Sequence, residues 1–191
     1  MEVLLEIGRD LTASLASRDR HERLLASVRR LIPFDAACLL RLSGDQLIPL
    51  AGHGLVPAAL DRTYGRAQHP RLDAILRAPG PIHFPDDSPL PDPFDGLLVA
   101  DPHATEHIHA CLGCPLTAAG EIVGALTADA LDPRAFDGLD PRLLATLSAL
   151  AGAALRTSSL IEALEERVER GTRVARELQR SAQETSGAAI L

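Results

Sequence analysis

HIHACLGCPLTAAGEIVGALTADA, residues 107–130, is two apolar runs separated by the short turn AGE. Neither run alternates cleanly between apolar and polar, because small and apolar residues occupy both parities. Strands of that composition are covered on both faces. The pair therefore predicts two neighbouring antiparallel strands inside a layered domain.

Outward from this pair, DAACLLRL (35–42) and QLIPLAGH (46–53) read as a second antiparallel hairpin closed by the turn SGD. Before it, LLEIGRDLTASL (4–15) and DRHERLLASVRRLI (19–32) carry apolar residues three and four apart. They predict two amphipathic helices, the second starting near Asp19 and stopped by Pro33. A short helix is expected around Val56 to Arg62. HPRLDAILRAPG (69–80) predicts a helix of about two turns, with Pro70 in its first turn and a Pro79-Gly80 stop. PIHF (81–84) is a brief strand. From Pro85 to His107 the composition turns to Pro, Asp, His and Gly, a long loop of the kind that usually either carries function or is disordered.

A helical pattern then runs from Asp140 to about Ala182. Its first part, Leu143, Leu147, Leu150 and Ala154, can pack on the domain. Its 3-4 spacing continues through Thr157, Ile161, Leu164, Val168, Gly171, Ala175 and Leu178, flanked by glutamates and arginines. A seam that outlasts the domain needs an outside partner, and a parallel homodimer is the simplest one. The expected organisation is a domain over 1–156, a signalling helix over 157–182 and a linker over 183–191. The fold class is α+β, a central antiparallel sheet with helices followed by a long C-terminal helix.

The totals exclude several functions. The net charge of -7 over 191 residues argues against a nucleic-acid surface. With no run of twenty apolar residues, and acids rather than a basic flank at the N-terminus, the chain reads as cytoplasmic. Three cysteines are too few for a disulfide scaffold. No Trp, one Tyr and four Phe leave few platforms for stacking a nucleobase or flavin. No GxSxG, Walker loop or HExxH is present, so the chain is not expected to be an enzyme.

PDPFDGL (91–97) holds Asp92 and Asp95 on a stiff turn, Cys111 lies in the strand after the loop, and Asp129 ends the next strand. If the two strands pair across AGE, a loop folded over their far end delivers all four groups to one place. Three carboxylates and a thiolate repel one another unless a cation sits among them. The mixed oxygen and sulfur set suits a redox-active first-row ion better than calcium or magnesium, which points to iron, with zinc, not redox-active, as the other candidate. CLGC is also a CxxC, preceded by His103, His107 and His109, with His109 a reserve ligand on the parity of Cys111. A strand, however, turns Cys111 and Cys114 to opposite faces. Cys38 and Cys114 read as ordinary buried thiols.

HPRLDAILRA, FPDDSPLPDPFDGL, HACLGCPL and GALTADA, in that order, resemble the N-terminal GAF domain of the nitric-oxide-responsive, sigma-54-dependent transcription activators of the NorR type, over about residues 3–165. The resemblance implies a mononuclear non-haem Fe(II) centre that binds nitric oxide, and repression of a following AAA+ ATPase domain until the gas arrives. A helix-turn-helix domain would hold such an activator on DNA. Both later domains are missing here, so the chain is expected to be a sensor fragment. By the same resemblance the iron set is Asp92, Asp95, Cys111 and Asp129 with Arg71 as the remaining member, and Arg77 relays the signal. A guanidinium has no acceptor, so Arg71 is better placed to offset the negative charge. Six residues apart on a helix is about 600° of rotation, so Arg71 and Arg77 project differently. The alternative reading is a GAF-like binding and dimerisation module with an organic ligand or none.

Overall fold

The structure, a computed structural model, describes residues 17–85, 87–99 and 110–188. The expected first helix, 4–15, and the three histidines of 103–109 lie outside the described residues. Helix α1 spans Ser17–Arg29. Strands β1 (Ala36–Ser43) and β2 (Gln46–His53) form the first hairpin. Ser43 pairs with Gln46 across a two-residue turn, where Gly44 takes φ +59° at no steric cost. A one-turn helix α2 (Pro57–Leu60), strand β3 (Tyr64–Gly65), helix α3 (Pro70–Arg77) and strand β4 (Ile82–Phe84) follow. Strands β5 (Ala110–Ala118) and β6 (Glu121–Ala130) precede the 48-residue helix α4 (Pro141–Ala188).

All six strands form one antiparallel sheet in the order β3-β2-β1-β6-β5-β4. Its centre is β1, β6 and β5, the apolar runs with weak alternation. One face carries Leu39, Leu112, Cys114, Leu126 and Ala128 against Leu24, Leu25 and Val28 of α1 and Leu144, Leu147, Ala151 and Leu155 of α4. The other carries Ala36, Cys38, Leu40, Cys111 and Ala125 against Leu72, Ile75 and Leu76 of α3, Tyr64 and Phe94. Burial on both faces removes the need for a polar parity, which is why these strands lack one.

Helix α3 is short because its ends are fixed by proline chemistry. Pro70 occupies the first turn with its preset φ. Ala78, held extended at ψ 142° by the proline that follows, stops the helix. Asp73 in the first turn and Arg77 in the last suit the helix dipole. Arg71, a cation in the first turn, does not. Its position has to be held by something else.

The helix sits close to the sheet because β5 offers a glycine beneath it. A Cβ on Gly113 would lie 2.3 Å from Cγ1 of Ile75. Gly113→Val is therefore expected to push α3 off the sheet at a cost of about 1–3 kcal/mol, and to disturb Arg71 with it. Urea denaturation checks the first effect. An unchanged midpoint would mean the helix does not rest on this glycine.

Asp140 caps α4, its Oδ1 accepting the Arg142 N–H at 2.8 Å just before the helix, with Pro141 at its first position. Among the described residues α4 is the one helix long and apolar enough to cross a membrane. Its apolar part belongs to the domain core, where Leu144, Leu147, Ala151 and Leu155 are all buried. The helix runs to Ala188, through residues expected to be linker. QETSGA contains no proline, and one glycine near a helix end costs only about 1 kcal/mol. The chain divides into a compact unit ending at Arg156 and a second, helical one from Thr157.

Candidate metal centre

The open end of the hairpin HIHACLGCPLTAAGEIVGALTADA decides the site. Cys111 on β5 lies directly opposite Asp129 on β6, at the end of the strands away from the AGE turn. Cys111 is 5% exposed and Asp129 2%. The loop delivers Asp92 to them. Ligand atoms of Asp92, Cys111 and Asp129 all lie within 4.8 Å of one another.

The loop reaches this place because it is pinned along its length. Phe94, 1% exposed, plugs the core beside Tyr64, with ring centroids 5.2 Å apart. Asp92 Oδ1 accepts the Phe94 N–H at 2.7 Å, the local turn that aspartate favours. Arg62 donates to the Pro93 carbonyl at 3.0 Å. Val56 N–H donates to Leu97 O and Val99 N–H to Gly54 O, each at 2.8 Å, so the loop's far end zips onto the chain after β2. The ends and the aromatic plug leave Asp92 one direction in which to point.

Arg71 completes the cluster. Its Nη1 donates to Asp92 Oδ2 at 2.8 Å and to Cys111 Sγ at 3.0 Å. Its Nε donates to the Leu90 carbonyl at 2.8 Å, and Nη2 donates to the same oxygen. The guanidinium also lies over the Phe84 ring, 5.1 Å from its centroid. These contacts hold a buried cation at the unfavourable end of α3. The Cys111 thiol in turn donates to Asp92 Oδ2 at 3.0 Å. Burial, then the charges of Asp129 and Asp92, push this thiol far above its ordinary pKa. A thiol proton is thus one way to quiet the repulsion, and a metal ion is the other.

The donor set fits a divalent first-row ion. Two carboxylates and a thiolate together with Arg71 reach neutrality when one divalent cation joins them, whereas a calcium site would want oxygen throughout. Three protein donors also leave positions for an exogenous ligand.

Asp95, expected as a ligand, and Arg77, expected as the relay, stand apart from the cluster. Asp95 is exposed, one turn past Asp92, and is not among the three clustered donors. The turn that aims Asp92 inward reverses the chain before Asp95, its N–H facing the Asp92 carbonyl at 3.4 Å. Arg77 is on the surface with its side chain 74% exposed, and Nε donates to Asp73 Oδ2 at 2.8 Å. Arg66 holds the other oxygen of Asp73. Cys114 belongs to the opposite core, its pKa pushed up to about 11 by burial, so CLGC is not a two-thiol chelate. Sequence reasoning missed the Leu90 carbonyl and the Phe94 plug. The Phe between Pro93 and Asp95, one of only four in the chain, was the available signal.

The GAF domain family matches residues 19–155, and the chain belongs to that family. It is 46% identical over 165 residues to the anaerobic nitric oxide reductase transcription regulator NorR of Serratia proteamaculans, across 86% of this chain and 32% of that protein. The regulator of the same name from Aeromonas salmonicida is 45% identical over 161 residues, across 84% and 31%. The chain spans about a third of the length of these relatives. Among solved structures, the GAF domain of a phosphoenolpyruvate-protein phosphotransferase from Coxiella burnetii matches with a TM-score of 0.67 and 18% identity, over 85% of this chain and 95% of that one. A free methionine-R-sulfoxide reductase from Neisseria meningitidis matches at 0.64 and 14%, over 84% and 90%. These neighbours share the fold, and a fold does not carry a function.

Proposed function

We propose that this chain is the nitric-oxide-sensing GAF domain of a cytoplasmic, sigma-54-dependent transcription activator, holding one non-haem ferrous ion through Asp92, Cys111 and Asp129. When bound, the ion supplies a coordination position open to nitric oxide. The observation that carries the reading is the buried meeting of those three donors around Arg71, in a chain close in sequence to anaerobic nitric oxide reductase transcription regulators. The domain binds and signals and is not an enzyme. It makes no direct nucleic-acid contact.

Each residue has a separate task. Asp129 and Cys111 are fixed by strand pairing. Asp92 rides on the loop, so it is the donor best able to move. Arg71 ties Asp92 to α3, and α3 carries Arg77 to the surface. A change in charge or ligation at the centre therefore pulls on the loop and on the helix that presents Arg77. Arg77 relays this to the AAA+ ATPase domain of the full-length regulator, which is repressed until the contact weakens. Such coupling requires that the repressive contact differ in free energy between the two states. Asp95 lies where loop movement could bring it in as a further donor.

Anaerobic titration of the domain with ferrous iron, followed by nitric oxide, tests this reading. The expected result is one iron per chain and a half-integer, spin-3/2 electron spin resonance signal, both lost in Asp129→Ala. Absence of stoichiometric iron, or the same signal in the variant, would sink it.

A further inference from the structure

Strand β6 presents Ala125, Thr127 and Asp129 to the face that carries the metal cluster, while Leu126, Ala128 and Ala130 enter the opposite core. Thr127 is 6% exposed, and its hydroxyl is buried with no hydrogen-bond partner among the described residues. The reason lies in its neighbours. Across one strand boundary it faces Cys38, and across the other Gly113, which brings no side chain. Ile75 fills the space above that glycine. A threonine here is surrounded by a thiol, a bare backbone and aliphatic carbon.

Valine would fill the same volume without the hydroxyl. An unsatisfied buried hydroxyl costs about 1–3 kcal/mol, so packing alone favours valine at this position. Thr127 therefore carries a polar group that the protein interior does not use. It stands two residues inward from Asp129 and diagonal to Cys111, about 7 Å along the strand. A molecule of two or three heavy atoms bound beside those donors comes within reach of it.

We propose that the Thr127 hydroxyl is a ligand-facing group of the centre, donating a hydrogen bond to the small molecule that binds there. The proposal rests on the reading that the centre holds ferrous iron and takes nitric oxide. A neutral, rotatable donor suits this task because it can meet a small uncharged ligand without adding charge to the cluster. The hydroxyl itself is buried, so bulk water does not supply the same bond.

The test compares wild type with Thr127→Val and the conservative Thr127→Ser, all loaded anaerobically with ferrous iron. Iron stoichiometry is expected to be equal in the three, because Thr127 is not a metal ligand, and Thr127→Val is expected to be at least as resistant to urea as wild type. Nitric oxide is expected to dissociate about two- to tenfold faster from Thr127→Val, with a shifted N–O stretching frequency, and Thr127→Ser is expected to restore both. Unchanged dissociation and an unchanged stretch in Thr127→Val would overturn the proposal while leaving the sensing reading intact. Loss of iron from Thr127→Val would make the residue structural and overturn it equally. A wild type that takes no iron overturns both.

Discussion

Arg71→Met is expected to destabilise the metal-free domain by about 3–5 kcal/mol, the usual consequence of removing one partner from a buried ion pair. The side chains of Arg71 and Asp92 are 9% and 4% exposed. Without the guanidinium, the Asp92 carboxylate is left among a second carboxylate and a thiol, and the Leu90 carbonyl loses its donor. Methionine matches the length of the stem but supplies neither charge nor hydrogen bonds. A divalent cation added to the variant is expected to recover part of the loss, because it replaces the missing positive charge. That recovery separates the two roles the residue can have. If Arg71 is a counter-charge, the variant still binds one ferrous ion per chain. If it is an obligatory member of the ligand set, binding disappears. Equilibrium urea denaturation with and without metal gives both answers, and a stability change within about 0.5 kcal/mol, as for an ordinary surface site, would show that the pair carries nothing.

The first hairpin and α3 were legible because each is bounded by residues with a local reason to bound it. Gly44 closes the first hairpin, Pro70 opens α3, and Pro79 fixes the extended residue that ends it. Strand β3 was not legible. Tyr64 and Gly65 are two residues long and pair with β2 only because Tyr64, 0% exposed, is drawn into the second core. Its hydroxyl reaches the Ala59 carbonyl at 2.8 Å, a contact no local pattern announces.

The site divides in the same way. Cys111 and Asp129 follow from strand pairing across the AGE turn, because register in an antiparallel hairpin is set by the turn. Asp92 and Asp95 could not be told apart from their spacing. What separates them is the aromatic plug: Phe94 enters the core with its N–H on Asp92 Oδ1, and that turn leaves Asp92 buried and Asp95 exposed. Arg71 entered the expected set only through the resemblance, and its chemistry then favoured a counter-charge over a ligand. Its bonds to Leu90 were not legible, since a backbone carbonyl has no sequence signature.

If the apolar stripe of the second unit pairs two copies of this helix, Leu164→Asp and Val168→Asp each weaken that association by about a hundredfold or more. The second unit, from Thr157, leaves large apolar side chains in solvent: Leu164 is 60% exposed, and Val168 and Leu178 are each 67%. Burying a leucine or valine side chain stabilises by about 1.5–3 kcal/mol, and in a symmetric dimer every position contributes twice. Thr157, Ile161, Leu164, Val168, Gly171, Ala175 and Leu178 repeat four and three apart, the spacing that keeps one seam facing a partner helix. An aspartate at the middle of the seam places two carboxylates against each other and removes two knobs. Gly171 offers the opposite test. Its Cβ position is open, so Gly171→Leu should raise helix propensity by about 1 kcal/mol per chain and add a knob, tightening the dimer. Sedimentation equilibrium over a range of concentrations distinguishes the cases. A wild type that stays monomeric at tens of micromolar, or aspartate variants that associate as it does, would show that the stripe meets something other than a second copy of this helix.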